Sequence, residues 1–271
     1  MNHLFRERAP ITPAGWDEIE KEARRTLRAL LAARRVVDFK GPLGWNASDV
    51  ELGRADPIPS PPSGKDVQAR LRRIQPLVEL RIPFDVSREE LDAIDRGARD
   101  PDLDSVTAAA REIAIAEDRS IFHGYQAAQI TGICQKLESV AVPLGSSHAD
   151  YPLAVATALT RLRDDGIEGP FAVVLNEQLY KDLSARTDGG YPIISHVQRL
   201  VDGDIVWAPG IDGGLVISQR GGDFELSVGQ DFSIGYLEHD TRRVRLYIEE
   251  SFTFLILTEQ AALPLTTGRP A

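Results

Sequence analysis

Apolar side chains recur every three or four positions behind a Thr12-Pro13 pair, which suits the start of a helix. Charged side chains fill most of the positions between them, so the pattern predicts an amphipathic helix of about twenty residues. The apolar positions are Trp16, Ile19, Ala23, Leu27, Leu30 and Leu31. Such a helix either faces the core of its own chain or forms a docking surface, and the spacing is compatible with both.

The segment from Gly41 to Gly64 breaks this helical pattern. Its prolines at 57, 59, 61 and 62 suit neither a helix nor a central strand. Beyond it, apolar and polar residues alternate from Val67 to Leu71, and an extended pattern continues over 77–86. A long Pro-rich segment between strand-like legs predicts a projecting β-arm, which needs support from outside its own subunit.

Further elements follow along the chain without a regular βαβ repeat. Ser87 with Glu90 predicts a capping box for a short helix closed by Gly97, and Asp102 or Asp104 is expected to cap the next helix. The remaining predicted helices cover 151–165, 177–186 and 193–201, and the predicted strands cover 171–175, 205–208, 215–218, 224–228 and 243–257. This mixture favours an α+β fold.

Composition and charge argue against several classes of protein. The chain has 271 residues, enough for a substantial core, and its net charge of −10 argues against a general nucleic-acid binder. Cys134 is the single cysteine, which excludes an intrachain disulfide and favours a reducing compartment. No run approaches the ~18 apolar residues of a membrane span, and the N-terminal residues lack a secretory apolar region. A cytoplasmic protein is therefore expected.

Motifs for common chemistries are absent. There is no phosphate loop, dinucleotide fingerprint or zinc spacing, and the five histidines are scattered. The run Ser146–Asp150 contains the residue types of a serine triad, but we expect it to cap a helix. Glu117 and Asp118 are expected at a solvated or ion-paired helix end, and Glu249 and Glu250 should point to opposite faces of a strand. No catalytic, cofactor or metal site is predicted.

Several ordered stretches resemble one known family. The strongest are RGGDFELSVGQDFSIGY over 220–236 and VRLYIEESFTF over 244–254. Others are GPLGW (41–45), PLVELRIPF (76–84), EDRSIFHGY (117–125), DGIEGPF (165–171) and GYPI (190–193). In this order and spacing they resemble the shell protein of family 1 bacterial encapsulin nanocompartments, also labelled linocin-type bacteriocins.

This resemblance implies the tailed-phage major capsid protein fold of the Hong Kong phage type. Residues 1–44 would form the N-terminal helix and the start of the peripheral domain, and 45–75 would form the extended loop. Residues 76–139 would continue the peripheral domain with its long helix, 140–220 would form the axial domain, and 221–271 would return to the peripheral domain.

The resemblance also implies a non-enzymatic shell subunit without a cofactor. About sixty copies would close into a hollow icosahedral T=1 shell around a cargo enzyme, which is held through its C-terminal targeting peptide. The cargo would be a dye-decolourising peroxidase or a ferritin-like protein, and oxidative-stress defence or iron storage would follow from that cargo. No membrane or specific nucleic-acid partner is expected.

The resemblance also implies functional residues, which are assigned to the positions of this chain that match the family's motifs. Leu27, Leu31, Arg34 and Asp38 would line the cargo-peptide groove, with Asp231, Ile234 and Tyr236 opposite; alternatively, these side chains simply complete the core. Thr187, Asp188, Gly189 and Gly190 would lie at the fivefold pore. One relative stacks a flavin on a tryptophan that this chain lacks near PFDVSREELD (83–92), so no flavin is expected. Gly190 precedes Tyr191 where that relative has histidine, so no histidine-dependent pore is expected.

Two other functions remain open. A prophage-type capsid protein would package nucleic acid, which the acidic charge disfavours. A free hydrolase or bacteriocin would need a catalytic constellation, and the motifs supply none.

Overall fold

A computed structural model describes residues 3–59, 61–64, 66–145, 147–188 and 190–266. The helices are α1 (Pro13–Leu30), α2 (Arg88–Asp95), α3 (Asp104–His123), α4 (Ile133–Lys136), α5 (Tyr151–Asp164), α6 (Glu177–Ala185) and α7 (Ile193–Gln198). The strands are β1 (Asp38–Lys40), β2 (Asp49–Ile58), β3 (Ala69–Pro76), β4 (Val78–Ser87), β5 (Val142–Pro143), β6 (Phe171–Leu175), β7 (Thr187–Asp188), β8 (Tyr191–Pro192), β9 (Ile205–Trp207), β10 (Gly214–Ser218), β11 (Phe224–Val228), β12 (Ser233–His239), β13 (Arg243–Ile256) and β14 (Ala262–Thr266). The predicted α+β class is confirmed.

Two five-stranded sheets carry the fold. In the first, the long strand β13 pairs antiparallel with β4, β11 and β12, and β1 joins β11 in parallel. Because Ile248 pairs with both Ile82 and Ile234, β4 and β12 lie on opposite sides of β13. The second sheet has the order β5-β14-β10-β6-β9.

Each sheet has its own hydrophobic core. The smaller core joins α1, α2 and α3 to the first sheet and includes Ile19, Val106 and Ile248. The larger core surrounds the second sheet and α5, and it extends to β11 and the end of β13. Strand β6, apolar at every position and fully buried, lies in the middle of this larger core.

Helix α1 begins as its sequence predicts. The Thr12 side chain accepts a hydrogen bond from the Gly15 N–H at 3.2 Å, which satisfies a helix N-terminal donor. The Thr12 hydroxyl also donates to Asp95 of α2. One side chain therefore caps α1 and ties it to the neighbouring helix.

Only one half of the capping box predicted for α2 is present. Ser87 does cap the helix, accepting from the Glu89 N–H at 3.2 Å. Glu90, however, accepts from the Asp102 N–H at 2.9 Å instead of reaching back to Ser87. The loop before α3 thus competes successfully for the Glu90 carboxylate. The predicted N-cap of α3 is also wrong, because Leu103 occupies that position and makes no side-chain cap. Asp102, one residue earlier, still accepts a hydrogen bond from the Asp104 N–H at 3.1 Å.

The predicted β-arm is confirmed as an extended hairpin of β2 and β3, paired over Asp49–Ile58 and Ala69–Pro76. An ion pair between Arg73 and Asp56 crosses the two strands. Ile58, Leu71 and Ile74 are exposed, so the hairpin carries apolar surface that its own chain does not cover.

Pattern reasoning missed β12 and β14. Gly235 interrupts the apolar pattern of β12, and its position is one where an added Cβ would collide with the Tyr247 ring. Strand β14 contains Pro264, yet it pairs with β5 and β10 in the second sheet. The proposed domain boundaries remain a prediction, and the pairing of β14 does not follow the assignment of 221–271 to the peripheral domain.

None of the helices formed by the described residues is long and apolar enough to cross a membrane.

Candidate functional site

A surface groove lies between α1 and the edge of the first sheet. It has a volume of about 560 Å³, which is within the range of sites that enclose small ligands or a few side chains. One wall is α1 with the residues that follow it, and the other is the segment leading into β12. The lining residues are Leu4, Arg6, Glu20, Ala23, Arg24, Leu27, Arg28, Leu31, Arg34, Arg35, Asp231, Phe232, Ser233, Ile234 and Ile248.

The floor of this groove is the outer surface of the smaller core. Leu27, Leu31 and Ile234 belong to that core and are 8%, 9% and 6% exposed. Leu27 lies in the last turns of α1 and Leu31 directly follows the helix, and both side chains line the groove. The sequence allowed these residues either to line a groove or to complete the core. In the structure the same side chains do both.

Arg34 anchors one end of the groove. Its Nε donates to Glu117 at 2.9 Å, its Nη1 to Asp231 at 2.8 Å and its Nη2 to Glu250 at 3.0 Å. The guanidinium also lies near the rings of Phe39 and Phe232, 5.2 and 4.7 Å from their centroids. With all three nitrogens engaged, Arg34 holds the Asp231 segment against α3 and β13.

The carboxylates around Arg34 outnumber its single positive charge. Burial raises the pKa of Glu250 well above its usual range, and the neighbouring Glu117 raises it further, while Arg34 lowers it. Burial also raises the pKa of Asp118 to about 8, although hydrogen bonds from the Ala33 and Ala32 N–H groups act in the opposite direction. A proton held within this cluster relieves part of the excess negative charge.

This cluster corrects the expectation of a solvated helix end. Glu117 and Asp118 are completely buried within α3, because each has a partner on a distant segment. The ion-paired alternative is confirmed for Glu117. The opposite orientation of Glu249 and Glu250 is also confirmed, since Glu249 pairs with Arg81 whereas Glu250 pairs with Arg34.

Two predicted groove residues lie elsewhere. Asp38 is on β1, where its carboxylate accepts a hydrogen bond from the Gly222 N–H at 2.6 Å, and it does not line the groove. Tyr236 is on β12, its hydroxyl is 2.6 Å from His239 Nδ1, and its N–H donates to the Leu4 carbonyl. The structure therefore brings together Leu27, Leu31, Arg34, Asp231 and Ile234 along this groove, whereas Asp38 and Tyr236 do not line it. The assignment of all seven residues to cargo-peptide binding stays a prediction.

Several polar residues along the edges of the groove were not predicted from the sequence. Arg24 and Arg28 follow Glu20 at four-residue intervals on α1, and that spacing could have placed all three along one edge of the helix. Arg6 and Ser233 reach the groove from segments whose positions the local pattern does not determine.

Three of the proposed pore residues, Thr187, Asp188 and Gly190, lie between α6 and α7. Thr187 and Asp188 of β7 pair with Pro192 and Tyr191 of β8. Gly190 has φ of 88°, a left-handed backbone conformation that favours glycine. Gly189 lies outside the described residues, and the assignment of this turn to a pore stays a prediction.

The serine-containing run forms the cap expected of it. The Ser147 side chain accepts from the Ala149 N–H at 3.3 Å, and Asp150 accepts from the Ser147 N–H at 3.1 Å. Ser146 lies outside the described residues. The expectation of a helix cap is confirmed for Ser147 and Asp150.

Solved structures with a similar fold include a virus-like particle and a phage structure. A virus-like particle from Pyrococcus furiosus matches with a TM-score of 0.64 and 14% identity, covering 93% of this chain and 99% of the other. The Mycobacterium phage Bobi structure matches with a TM-score of 0.59 and 12% identity, covering 89% and 91% of the two chains. The chain therefore has the predicted capsid fold of the Hong Kong phage type.

Sequence comparison identifies the family. The family described as "Encapsulating protein for peroxidase" matches residues 1–253. A type 1 encapsulin shell protein of Rhodospirillum rubrum is 54% identical, over 98% of this chain and 96% of the relative. One of Mycolicibacterium paratuberculosis is 47% identical, over 98% and 100%. The chain belongs to the type 1 encapsulin shell protein family, which confirms the resemblance seen in the sequence.

Proposed function

We propose that this chain is the subunit of a cytoplasmic nanocompartment, a hollow icosahedral T=1 shell of about sixty copies. The shell encloses a cargo enzyme and performs no catalysis itself. The cargo is held on the shell by its C-terminal targeting peptide, which occupies the groove between α1 and β12.

The groove is the observation that carries this proposal. Its apolar floor, where Ala23 lies beside Leu27, Leu31 and Ile234, can receive small apolar side chains of an extended peptide, in the manner of other peptide-binding grooves. Asp231 is 43% exposed on the opposite wall and can accept hydrogen bonds from the peptide. Arg34 already holds the Asp231 carboxylate in place. A peptide that binds this carboxylate therefore does not have to order a mobile Asp231 side chain.

A peroxidase is the cargo class that the comparisons support, since the family description refers to encapsulation of a peroxidase. A dye-decolourising peroxidase is the specific cargo we propose, with a ferritin-like protein as the alternative. The peroxidase would give the compartment a role in oxidative-stress defence, and the ferritin-like protein would give it a role in iron storage.

Assembly is tested first, on the protein expressed alone, by light scattering and negative-stain imaging. Hollow particles of megadalton mass support the proposal. A compact monomer or dimer contradicts it and returns attention to a free hydrolase. Nucleic acid present in stoichiometric amount in purified particles would instead support the prophage-type capsid.

Loading is tested by co-expressing the shell with the candidate cargo, with and without its C-terminal extension. Leu31→Glu places a charge on the groove floor, so cargo should be lost from the purified particles while assembly continues. Leu31→Met keeps an apolar side chain of similar volume and should retain loading.

Because Leu31 also contributes to the core, a second variant blocks the groove from the other side. Ser233→Trp adds a large ring on the β12 wall and leaves the leucines in place. Cargo that remains at wild-type stoichiometry in both Leu31→Glu and Ser233→Trp shells contradicts the groove assignment.

A further inference from the structure

We propose that the peptide occupying this groove carries side-chain carboxylates beside its apolar residues, and that Arg28 and Arg24 of α1 recognise them. This inference rests on the proposed function of the groove and specifies the chemistry of its partner.

The two arginines form a cationic row along one edge of the apolar floor. Arg24 and Arg28 are one helical turn apart on α1, and each immediately follows an apolar floor residue, Ala23 or Leu27. A peptide whose apolar side chains rest on that floor would pass within reach of both guanidinium groups.

The other arginines of the groove are already paired. Arg6 contacts Glu20 at 2.5 Å, and Arg34 is held by its three carboxylates. Arg35 contacts Asp204 at 3.0 Å, where both side chains are largely exposed. These pairs account for most of the acidic groups available along the groove.

Arg28 and Arg24 differ from them. Arg28 is exposed and makes no hydrogen bond or ion pair with any residue in the described part of the chain. Arg24 is 61% exposed, and its nearest carboxylate, Glu20, is 3.8 Å away and shared with Arg6. The rim therefore presents positive charge that the subunit itself leaves uncompensated, and an acidic side chain of the peptide supplies the missing partner.

The expected contribution of each contact is modest. Exposed ion pairs stabilise complexes weakly, and rim charges mainly affect the rate and selectivity of association. We therefore expect a preference of about threefold to tenfold for an acidic over a basic peptide, not an all-or-none effect.

A competition experiment measures this preference on the assembled shell. A green and a red fluorescent protein are co-expressed with the shell, each with a ten-residue C-terminal tail containing leucine and isoleucine at the same alternating positions. The intervening positions are glutamate in one tail and lysine in the other, and the colours are then exchanged. Because both tails end in the same terminal carboxylate, the ratio of the two proteins in purified particles reports the side chains.

In wild-type shells the acidic tail should be loaded at least threefold more than the basic tail. Arg28→Gln should bring the ratio toward one, and the double variant with Arg24→Gln should bring it closer still. Arg28→Lys keeps the charge and should preserve most of the preference. Arg99→Gln removes an exposed arginine outside the groove and should leave the ratio unchanged.

Four outcomes would contradict a part of this account, and they are distinguishable. If neither tail is loaded above an untailed fluorescent protein, the groove itself is misassigned and the proposed function fails with it. Equal loading of both tails, or preference for the basic tail, overturns the present inference and leaves the groove intact. If Arg28→Gln lowers the melting temperature of the shell without changing the ratio, Arg28 serves only to stabilise the end of α1, and its role in recognition is overturned.

Discussion

Arg34 shares one guanidinium among Glu117, Asp231 and Glu250, and two of these carboxylates are fully buried. Three acidic groups around one cation leave excess negative charge, and water does not reach two of them, Glu117 and Glu250. Burial raises the pKa of Glu250, and the neighbouring Glu117 raises it further, so the proton on Glu250 is held more tightly than usual. The end of the groove is consequently a place where pH affects the stability of the fold.

The sign of that effect follows from the raised pKa values. Glu250 and Asp118 bind a proton more tightly in the folded than in the unfolded chain, where their ordinary pKa values are 4.5 and 3.8. Their contribution to stability is present in full below those ordinary values and is lost as the pH rises through the folded ones, about 8 for Asp118.

Glu250→Gln should remove the Glu250 part of this loss. The variant should melt at about the wild-type temperature near pH 5 and several degrees higher near pH 8, since about 1 kcal/mol corresponds to roughly 2–4 °C in a chain of this size. Thermal melts of both proteins across this pH range provide the measurement. Glu112→Gln, on the exposed side of α3, is the matched control. A difference in melting temperature that does not change with pH would show that Glu250 is ionised throughout.

Helix α1 serves both the core and the groove. Ile19 and Leu30 pack inward, while Leu27 and Leu31 reach the groove floor. Thr12 fixes where this helix begins and holds it against α2. The position of the groove wall therefore depends on a side chain that does not line it.

Thr12→Ala should lower the free energy of unfolding by about 1 kcal/mol, the usual effect of losing a helix N-cap. Urea denaturation followed by circular dichroism measures the change. Thr12→Ser retains the hydroxyl and should remain close to wild type. Equal loss of stability in the alanine and serine variants would mean that the methyl group, not the cap, is responsible.

The molecule as a whole leaves its hairpin of β2 and β3 unsupported. Leu71 is 64% exposed and Ile74 is 50% exposed on this hairpin, which pairs with no other strand in the described part of the chain. A two-stranded hairpin is at best marginally stable alone in water. A neighbouring subunit in a closed shell would supply the missing contact surface.

Leu71→Asp should therefore block assembly and leave the subunit folded, because the side chain is exposed within the monomer and contributes little to its stability. Size-exclusion chromatography with light scattering should show small species, and circular dichroism should remain that of the wild type. Leu71→Met keeps an apolar contact and should still assemble. Normal particles from the aspartate variant would show that this part of the hairpin is not buried between subunits.

Local patterns in the sequence were sufficient for much of the fold. Helix α1 and its Thr12 cap, strand β6 and the extended legs of the arm follow from spacing, capping residues and the positions of proline. These features depend on neighbouring residues along the chain, so a short window contains the required information. The family could be identified because several such stretches occur in a characteristic order over nearly the whole chain.

The groove and its charges were decided by the tertiary structure. Glu117 looks like part of a charged helix end until Arg34, distant in the chain, reaches it and makes burial possible. Asp38 follows the groove residues closely in sequence, but the pairing of β1 with β11 directs its carboxylate to Gly222. The sequence by itself thus determined the elements and the family. Which carboxylates are buried, and which arginines remain unpaired, depends on long-range contacts that local spacing does not encode.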